Sequence, residues 1–263
     1  MEHCAAFPLQ PQSCATREDL QLPEIVAVRC LKDNYAWLLH HDGHTVLFDA
    51  PDAPPIIAAL ADRDWTLSEI ALTHHHADHI QGVPALVSAT GAAVIGNAAD
   101  SSRLPPLDLA VRPGDPLRLA GLPTEVLDVP GHTIGHIAFH VPAARAAFTG
   151  DSLMAIGCGR VFEGTPAQMW ESLSLLNALP EETLICSGHD YCEGNARFAL
   201  SVEPGNTAIP ARLRAGPCAP VTLAEERATN PFLRTAEIAP LIGMGGAEAG
   251  TVFARLRAMK DSF

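Results

Sequence analysis

The chain has 263 residues, which at roughly 150 residues per domain suits one large domain with an appendage as well as two equal halves. Apolar residues make up 48% and charged residues 18%, a balance that excludes disorder over most of the length. Seventeen basic against 30 acidic side chains give a formal charge of -13, which argues against non-specific binding to nucleic acid or anionic membrane.

No run of about 18 apolar residues predicts a transmembrane helix. The first 20 residues contain Glu2, Arg17, Glu18 and Asp19 and show neither the basic leader nor the apolar stretch of a secretory signal, so a cytoplasmic protein is expected. Residues 1–22 lack periodicity and read as a loosely ordered extension. Short apolar runs at 25–30, 35–40 and 45–49 read as strands, and Asp42-Gly43 between the last two is a hairpin signal. Residues 53–61 have helical spacing, with Pro54 and Pro55 tolerated in the first turn. A strand at 69–73 precedes a predicted helix at 80–90, which Gly91 would cap. Strands follow at 93–95, 117–119, 125–129, 137–141 and 146–149. Met169, Leu173 and Leu176 mark a helix at 166–178, and 183–187 is a last buried strand.

After about residue 191 strand signals stop. Helical segments take over at 193–202, 207–215, 223–227 and 247–260, and Thr222 with Glu225 is a capping-box signal. The order of elements predicts an α/β layered domain over 23–190 and a small C-terminal all-α domain over 191–263. The seven cysteines include no CxxC pair, so free thiols in a reducing compartment are expected.

The 12 histidines carry the chemistry. Thr73, His74, His75, His76, Ala77, Asp78 and His79 follow directly on a predicted strand. In extended chain His74 and His76 share a face and can chelate one cation, while Asp78 and His79 lie where the chain turns into a helix and suit a second. Alone, this segment also fits a solvated histidine-rich loop or a lone metal patch. Three further segments place a candidate ligand just after a strand: Gly131-His132-Thr133, Gly150-Asp151-Ser152 and Gly188-His189-Asp190. Loops at one sheet edge can converge on one site. Five histidines and two aspartates then suffice for two cations, since a carboxylate can bridge.

These motifs in this order resemble the metallo-β-lactamase superfamily. Within it, the chain is most similar to the glyoxalase II family, the hydroxyacylglutathione hydrolases. The matching segments include Leu31-Lys32-Asp33-Asn34-Tyr35, the run from Gly157 to Thr165, Asn230-Pro231-Phe232 and the closing Arg257-Ala258-Met259-Lys260-Asp261, and the resemblance spans about 25–263. It implies an αββα sandwich and two divalent metal ions, zinc first, with iron or manganese as alternatives. His74, His76 and His132 would hold one ion and Asp78, His79 and His189 the other. Asp151 would bridge them and share the catalytic role with Asp78. His75 would point away, and His136 and His140 lie on a strand.

The implied reaction is hydrolysis of S-D-lactoylglutathione and other S-2-hydroxyacylglutathiones to the 2-hydroxy acid and glutathione, the second step of methylglyoxal detoxification. The implied substrate contacts are Arg160, Phe162, Tyr191, Arg257 and Lys260. Phe162 stands where many relatives carry tyrosine. The alternative for Arg257 and Lys260 is a solvated helix end, where the helix dipole favours cations. A rival activity on the same fold is a glutathione persulfide dioxygenase, which would not be expected to carry the helical tail. A monomer acting on a small molecule, with no nucleic acid or membrane partner, is expected.

Overall fold

The computed structural model describes residues 22–216 and 218–263, so the extension expected at 1–22 lies, apart from Leu22, outside the described residues. β1 (Glu24–Cys30), β2 (Asn34–His41) and β3 (His44–Phe48) run antiparallel. The turn between β2 and β3 has φ of +49° at Asp42 and +76° at Gly43, the pair of left-handed residues that Asp-Gly supplies. β4 (Leu67–Ala71), β5 (Ala93–Asn97) and β6 (Leu109–Val111) join in parallel, giving the order β1-β2-β3-β4-β5-β6. Parallel pairing needs crossovers, supplied by α1 (Ala53–Ala61) and then by α2 (Ala77–Ile80) with α3 (Val83–Thr90).

The second sheet contains β7 (Leu117–Leu119), β8 (Leu122–Asp128), β9 (Ile137–Val141) and β10 (Ala146–Gly150). A two-stranded hairpin, β11 (Leu153–Met154) and β12 (Gly157–Cys158), and helix α4 (Pro166–Asn177) follow. β13 (Leu184–Ser187) pairs parallel with β10, and β14 (Val221–Thr222) closes the order β14-β13-β10-β9-β8-β7.

Period-two alternation builds the layers. Tyr35, Trp37 and Leu39 of β2 share a core with Ile137, Phe139 and Phe148 of the other sheet. The intervening Ala36 and Leu38 pack outward with Ile56, Leu60 and Leu86 of α1 and α3. On the far side, Ala138, Ala147 and Ile185 meet Met169 and Leu173 of α4, Phe198 of α5 (Cys192–Val202), Phe232, and Phe253 of α9 (Ala249–Asp261). Helix, sheet, sheet and helix thus stack in the expected αββα order. The tail's apolar side chains are continuous with the last layer.

Three expectations change. The helix predicted at 80–90 starts only at Val83, Ile80 closing the separate α2, because Gly82 donates its N–H to Ala50 O at 2.8 Å and a Cβ there would stand 2.8 Å from the same oxygen. Pro84 then starts α3 afresh. Strand structure does not stop at 191: Val221 and Thr222 pair with the open edge of β13, a partner invisible in a two-residue run. Cys192 and Cys218 are disulfide-bonded with Cα atoms 6.1 Å apart, correcting the expectation of free thiols throughout. The pair meets because α5 packs beside α6 (Ala208–Ala215), a proximity that spacing alone does not reveal. Cys30, Cys158 and Cys186 remain free and buried. The capping box forms as expected at the start of α7 (Leu223–Thr229), which the short α8 (Thr235–Ile238) follows. Among the described residues no helix is long and apolar enough to cross a membrane.

Candidate active site

The candidate ligands collect where β4, β8, β10 and β13 end. His74 to His76 continue extended from β4, and His76 is the N-cap of α2, which carries Asp78 and His79. His132 follows β8, Asp151 follows β10, and His189 follows β13. Two glycines permit this convergence. Gly150 turns with φ +48°, and a Cβ on it would lie 2.5 Å from Thr73 Oγ1. A Cβ on Gly188 would lie 2.6 Å from both Asp151 Oδ1 and His79 Cε1.

Four of the five candidate imidazoles are oriented by their second nitrogen. His79 Nδ1 donates to Asp49 Oδ2 at 2.8 Å, His189 Nδ1 to Asp33 Oδ1 at 2.9 Å, and His132 Nδ1 to Arg160 O at 2.9 Å. Thr73 Oγ1 donates to Asp49 Oδ2 at 2.8 Å and so accepts from His74 Nδ1 at 3.0 Å. Four Nε2 lone pairs therefore face inward, as metal-binding histidines require.

Two donor clusters result. His76 Nδ1 lies 3.1 Å from His74 Nε2 and 2.9 Å from His132 Nε2. His189 Nε2 lies 3.3 Å from His79 Nε2 and 3.3 Å from Asp78 Oδ2. Nitrogens bound about 2.0 Å from one tetrahedral cation stand about 3.3 Å apart, so both clusters have the span of a coordination shell. Asp151 lies between them, with Oδ2 3.4 Å from both His132 Nε2 and His189 Nε2 and Oδ1 3.4 Å from His79 Nε2. That carboxylate is buried, and its Oδ1 has no hydrogen-bond partner among the described residues. A buried anionic oxygen aimed at converging lone pairs fits a pair of cations. A third grouping, Asp49 with His74 and His79, is a weaker candidate because Asp49 is already satisfied by Thr73 and His79.

The electrostatics agree. Burial and the surrounding imidazoles push His74 far down, so it is a neutral donor. Burial would raise the Asp151 carboxyl, but His79, His189 and His132 hold it well below the ordinary range. Asp78 is likewise held down, chiefly by its hydrogen bond with His189. Burial opposes a charge on His189, yet Asp151, Asp78 and Asp33 outweigh it and raise the imidazole to about 11. The carboxylates call for positive charge between them.

Several contributors were not singled out from sequence. Asp49 serves both Thr73 and His79, and its only sequence signal is its place at the end of a strand. Asn34 Nδ2 donates to Asp78 Oδ2 at 3.1 Å; with Asp33 it sits inside the matched Lys32–Tyr35 segment. His136, pushed down to about 3 by burial, accepts the Asp151 N–H on Nε2 at 3.1 Å and stacks on His74 at 4.6 Å. His75 points away, bonded through Nδ1 to Asp100 Oδ2 at 3.0 Å, as expected.

A cavity of about 640 Å3 opens over the two clusters and is lined by all five expected substrate residues. Tyr191 stacks on His189 with centroids 4.7 Å apart. Phe162, 63% exposed, lies tilted against His132 at 5.2 Å and edge-on to His76 at 5.9 Å. Arg257 is not a solvated helix end: it is buried, with Nη1 donating to Cys158 O at 3.0 Å and Nη2 to Asp261 Oδ1 at 2.8 Å. Lys260 Nζ donates to Gly194 O at 3.0 Å. Its pKa is lowered by burial and then by Arg257, Arg197 and Arg160, a convergence of cations on one wall. Arg197, on α5, is the member of that set that sequence reading passed over.

Residues 32–189 match the model of the metallo-beta-lactamase superfamily, and residues 190–263 match that of the hydroxyacylglutathione hydrolase C-terminus. The chain is 57% identical over 253 residues to a hydroxyacylglutathione hydrolase of Jannaschia sp. (strain CCS1), covering 92% of this chain and 99% of the relative. It is 56% identical to the protein of that name from Ruegeria pomeroyi, covering 91% of this chain and 99% of that one. Among solved structures, ETHE1 from Myxococcus xanthus superposes with a TM-score of 0.62 at 28% identity, over 92% of this chain and 99% of its own. TTHA1623 in a di-iron-bound form gives 0.58 at 30% identity, over 79% and 98%.

Proposed function

The chain belongs to the hydroxyacylglutathione hydrolases, the glyoxalase II family of the metallo-β-lactamase superfamily, and from that premise we propose how its residues divide the work. The reaction is hydrolysis of S-D-lactoylglutathione and related S-2-hydroxyacylglutathiones to the hydroxy acid and glutathione. His74, His76 and His132 hold one cation, and Asp78, His79 and His189 hold the other. Asp151 spans both. The observation that carries this assignment is the buried Asp151 carboxylate between the two clusters, with one oxygen unpartnered.

A pair of divalent ions there supplies a lowered pKa for water and positive charge to offset the developing oxyanion. Five imidazoles and two carboxylates suit zinc; iron or manganese are the alternatives that metal analysis would reveal. Asp78, fixed by Asn34, orients the attacking water. The leaving thiolate needs no proton donor, because a thiol is a much stronger acid than an alcohol. Arg160, Arg257 and Lys260 draw in the glutathione carboxylates, while Tyr191 and Phe162 wall the thioester against the metal-binding histidines. Residues 23–190 then form the catalytic unit and 191–263 the glutathione-binding unit, a division supported by the junction of the two family models. We place the enzyme in the cytoplasm as a monomer without nucleic-acid or membrane partners, acting in methylglyoxal detoxification; its charge of -13 favours that choice over a polyanionic partner.

Steady-state assay of S-D-lactoylglutathione hydrolysis tests the reading. Metal-replete protein is expected to turn over, and chelator-treated protein to lose activity and regain it on metal addition. Metal-bound protein without turnover would reject the reading, and oxygen uptake with glutathione persulfide would then be assayed.

The cationic wall makes a separate prediction. Arg257→Ala with Lys260→Ala is expected to raise KM for glutathione thioesters about tenfold or more, at about 1.4 kcal/mol per factor of ten, with a smaller change in kcat. Because both side chains also tie α9 to Cys158 and Gly194, the melting temperature is measured alongside. An unchanged KM would leave these residues with the docking role alone.

A further inference from the structure

Beside the substrate cavity lies a second one of about 460 Å3, and Asp190, Glu193 and Arg197 contribute to the walls of both. The second cavity is lined by both cysteines of the Cys192–Cys218 disulfide and by Arg29 and Arg197. Hydrolysis makes no use of this disulfide. In a reducing compartment, disulfides that do form are usually transient, catalytic or redox-sensing.

The two sulfurs are not equivalent. Cys192 is the first residue of the 11-residue helix α5, where unpaired N–H groups and the helix dipole stabilise a thiolate. Cys218 lies in the segment before β14 and is the more open of the pair, 7% exposed against 3%. A thiolate entering from the cavity therefore meets Cys218, and the sulfur it displaces is the better leaving group. The enzyme's own product is such a thiol. Glutathione is released into the adjoining cavity, and a carboxylate of it matches the Arg197 guanidinium group, Arg29 being already paired with Asp190 at 2.5 Å.

We propose that Cys192–Cys218 is a thiol-exchange site for glutathione, which adds to Cys218 and frees Cys192. The glutathione sulfur forms a bond to Cys218 Sγ as the Cys192–Cys218 bond breaks, and the electron pair leaves on Cys192 Sγ. One disulfide replaces another with no net oxidation. A second glutathione thiolate attacks the adduct, releasing glutathione disulfide and the Cys218 thiolate; the two electrons the protein gains are those the two glutathiones lose. The proposal rests on the glutathione chemistry of the neighbouring site, but exchange needs no turnover, so either can fail without the other.

The test incubates oxidised, metal-replete protein with glutathione, alkylates free thiols at intervals and locates adducts by peptide mass spectrometry. The expected result is a glutathionyl group on Cys218 with Cys192 alkylated, followed at longer times by alkylation of both and release of glutathione disulfide. Formation is expected to be about tenfold faster than with glutathione esterified at both carboxylates, a preference that Arg197→Ala removes. In Cys192→Ser, the unpaired Cys218 is expected to take one glutathionyl group from glutathione disulfide. An adduct on Cys192, an unreactive disulfide, or equal rates for glutathione and its diester would each overturn the proposal.

Discussion

Asp151→Ala is expected to strip the site of metal and lower kcat/KM more than about a thousandfold, since water activation and oxyanion stabilisation fail together. The backbone around Asp151 should survive the change. Its N–H is held by His136 Nε2, the following Ser152 N–H by Thr149 O, and Gly159 N–H by Ser152 O, none of which involves the carboxylate. Circular dichroism is therefore expected to match the parent while metal content falls. Asp151→Asn keeps the shape and one acceptor oxygen but removes the charge, so it should retain part of the metal and a residual rate. His136→Phe separates charge from placement: it keeps the carboxylate and frees the Asp151 N–H, and a loss of about 10- to 100-fold is expected there. Full metal content and activity in Asp151→Ala would show that the two donor clusters are joined by something other than this carboxylate.

What the sequence disclosed and what it concealed follow from the range of the interactions. The ligand set was legible because each ligand segment opens within four residues of a strand end, at His74, His132, Asp151 and His189, and a parallel arrangement sends those ends to one edge. β2 was legible because Tyr35, Trp37 and Leu39 alternate with Ala36 and Leu38 between two cores. Asp49 was hidden because its role is non-local: it reaches 24 residues to Thr73 and 30 to His79. The break at Gly82 depends on Ala50 O, and β14 on the edge of β13, so local propensity could report neither. The disulfide had no signature beyond two cysteines 26 residues apart. Arg257 was ambiguous for the same reason, since a cation near a helix C-terminus looks alike whether solvated or, as here, buried against Cys158.

The second large effect is expected on stability, at the place where the tail meets the catalytic layer. Glu226 of α7 is fully buried, and its Oε1 accepts from Arg212 Nη2 of α6, itself buried. Its Oε2 accepts the Ile156 N–H at 3.0 Å and Asn230 Nδ2 at 3.0 Å. Asn230 Nδ2 also donates to Gly157 O at 2.9 Å. One carboxylate thus ties α6 and α7 to the β11–β12 hairpin, whose Met154 and Cys158 line the substrate cavity. Glu226→Ala leaves the Arg212 cation buried without its counter-charge and the Ile156 N–H without an acceptor, while Asn230 Nδ2 keeps Gly157 O, a loss of about 3–5 kcal/mol. A urea titration should show this as a lower midpoint. The double replacement Glu226→Leu with Arg212→Met is expected to recover most of the loss, because neither charge is then left unpaired. Recovery would assign the cost of Glu226→Ala to the stranded cation. If the double variant is as unstable as the single one, the cost lies instead in the freed Ile156 N–H and the lost Asn230 contact, and the hairpin beside the cavity is what Glu226 holds in place.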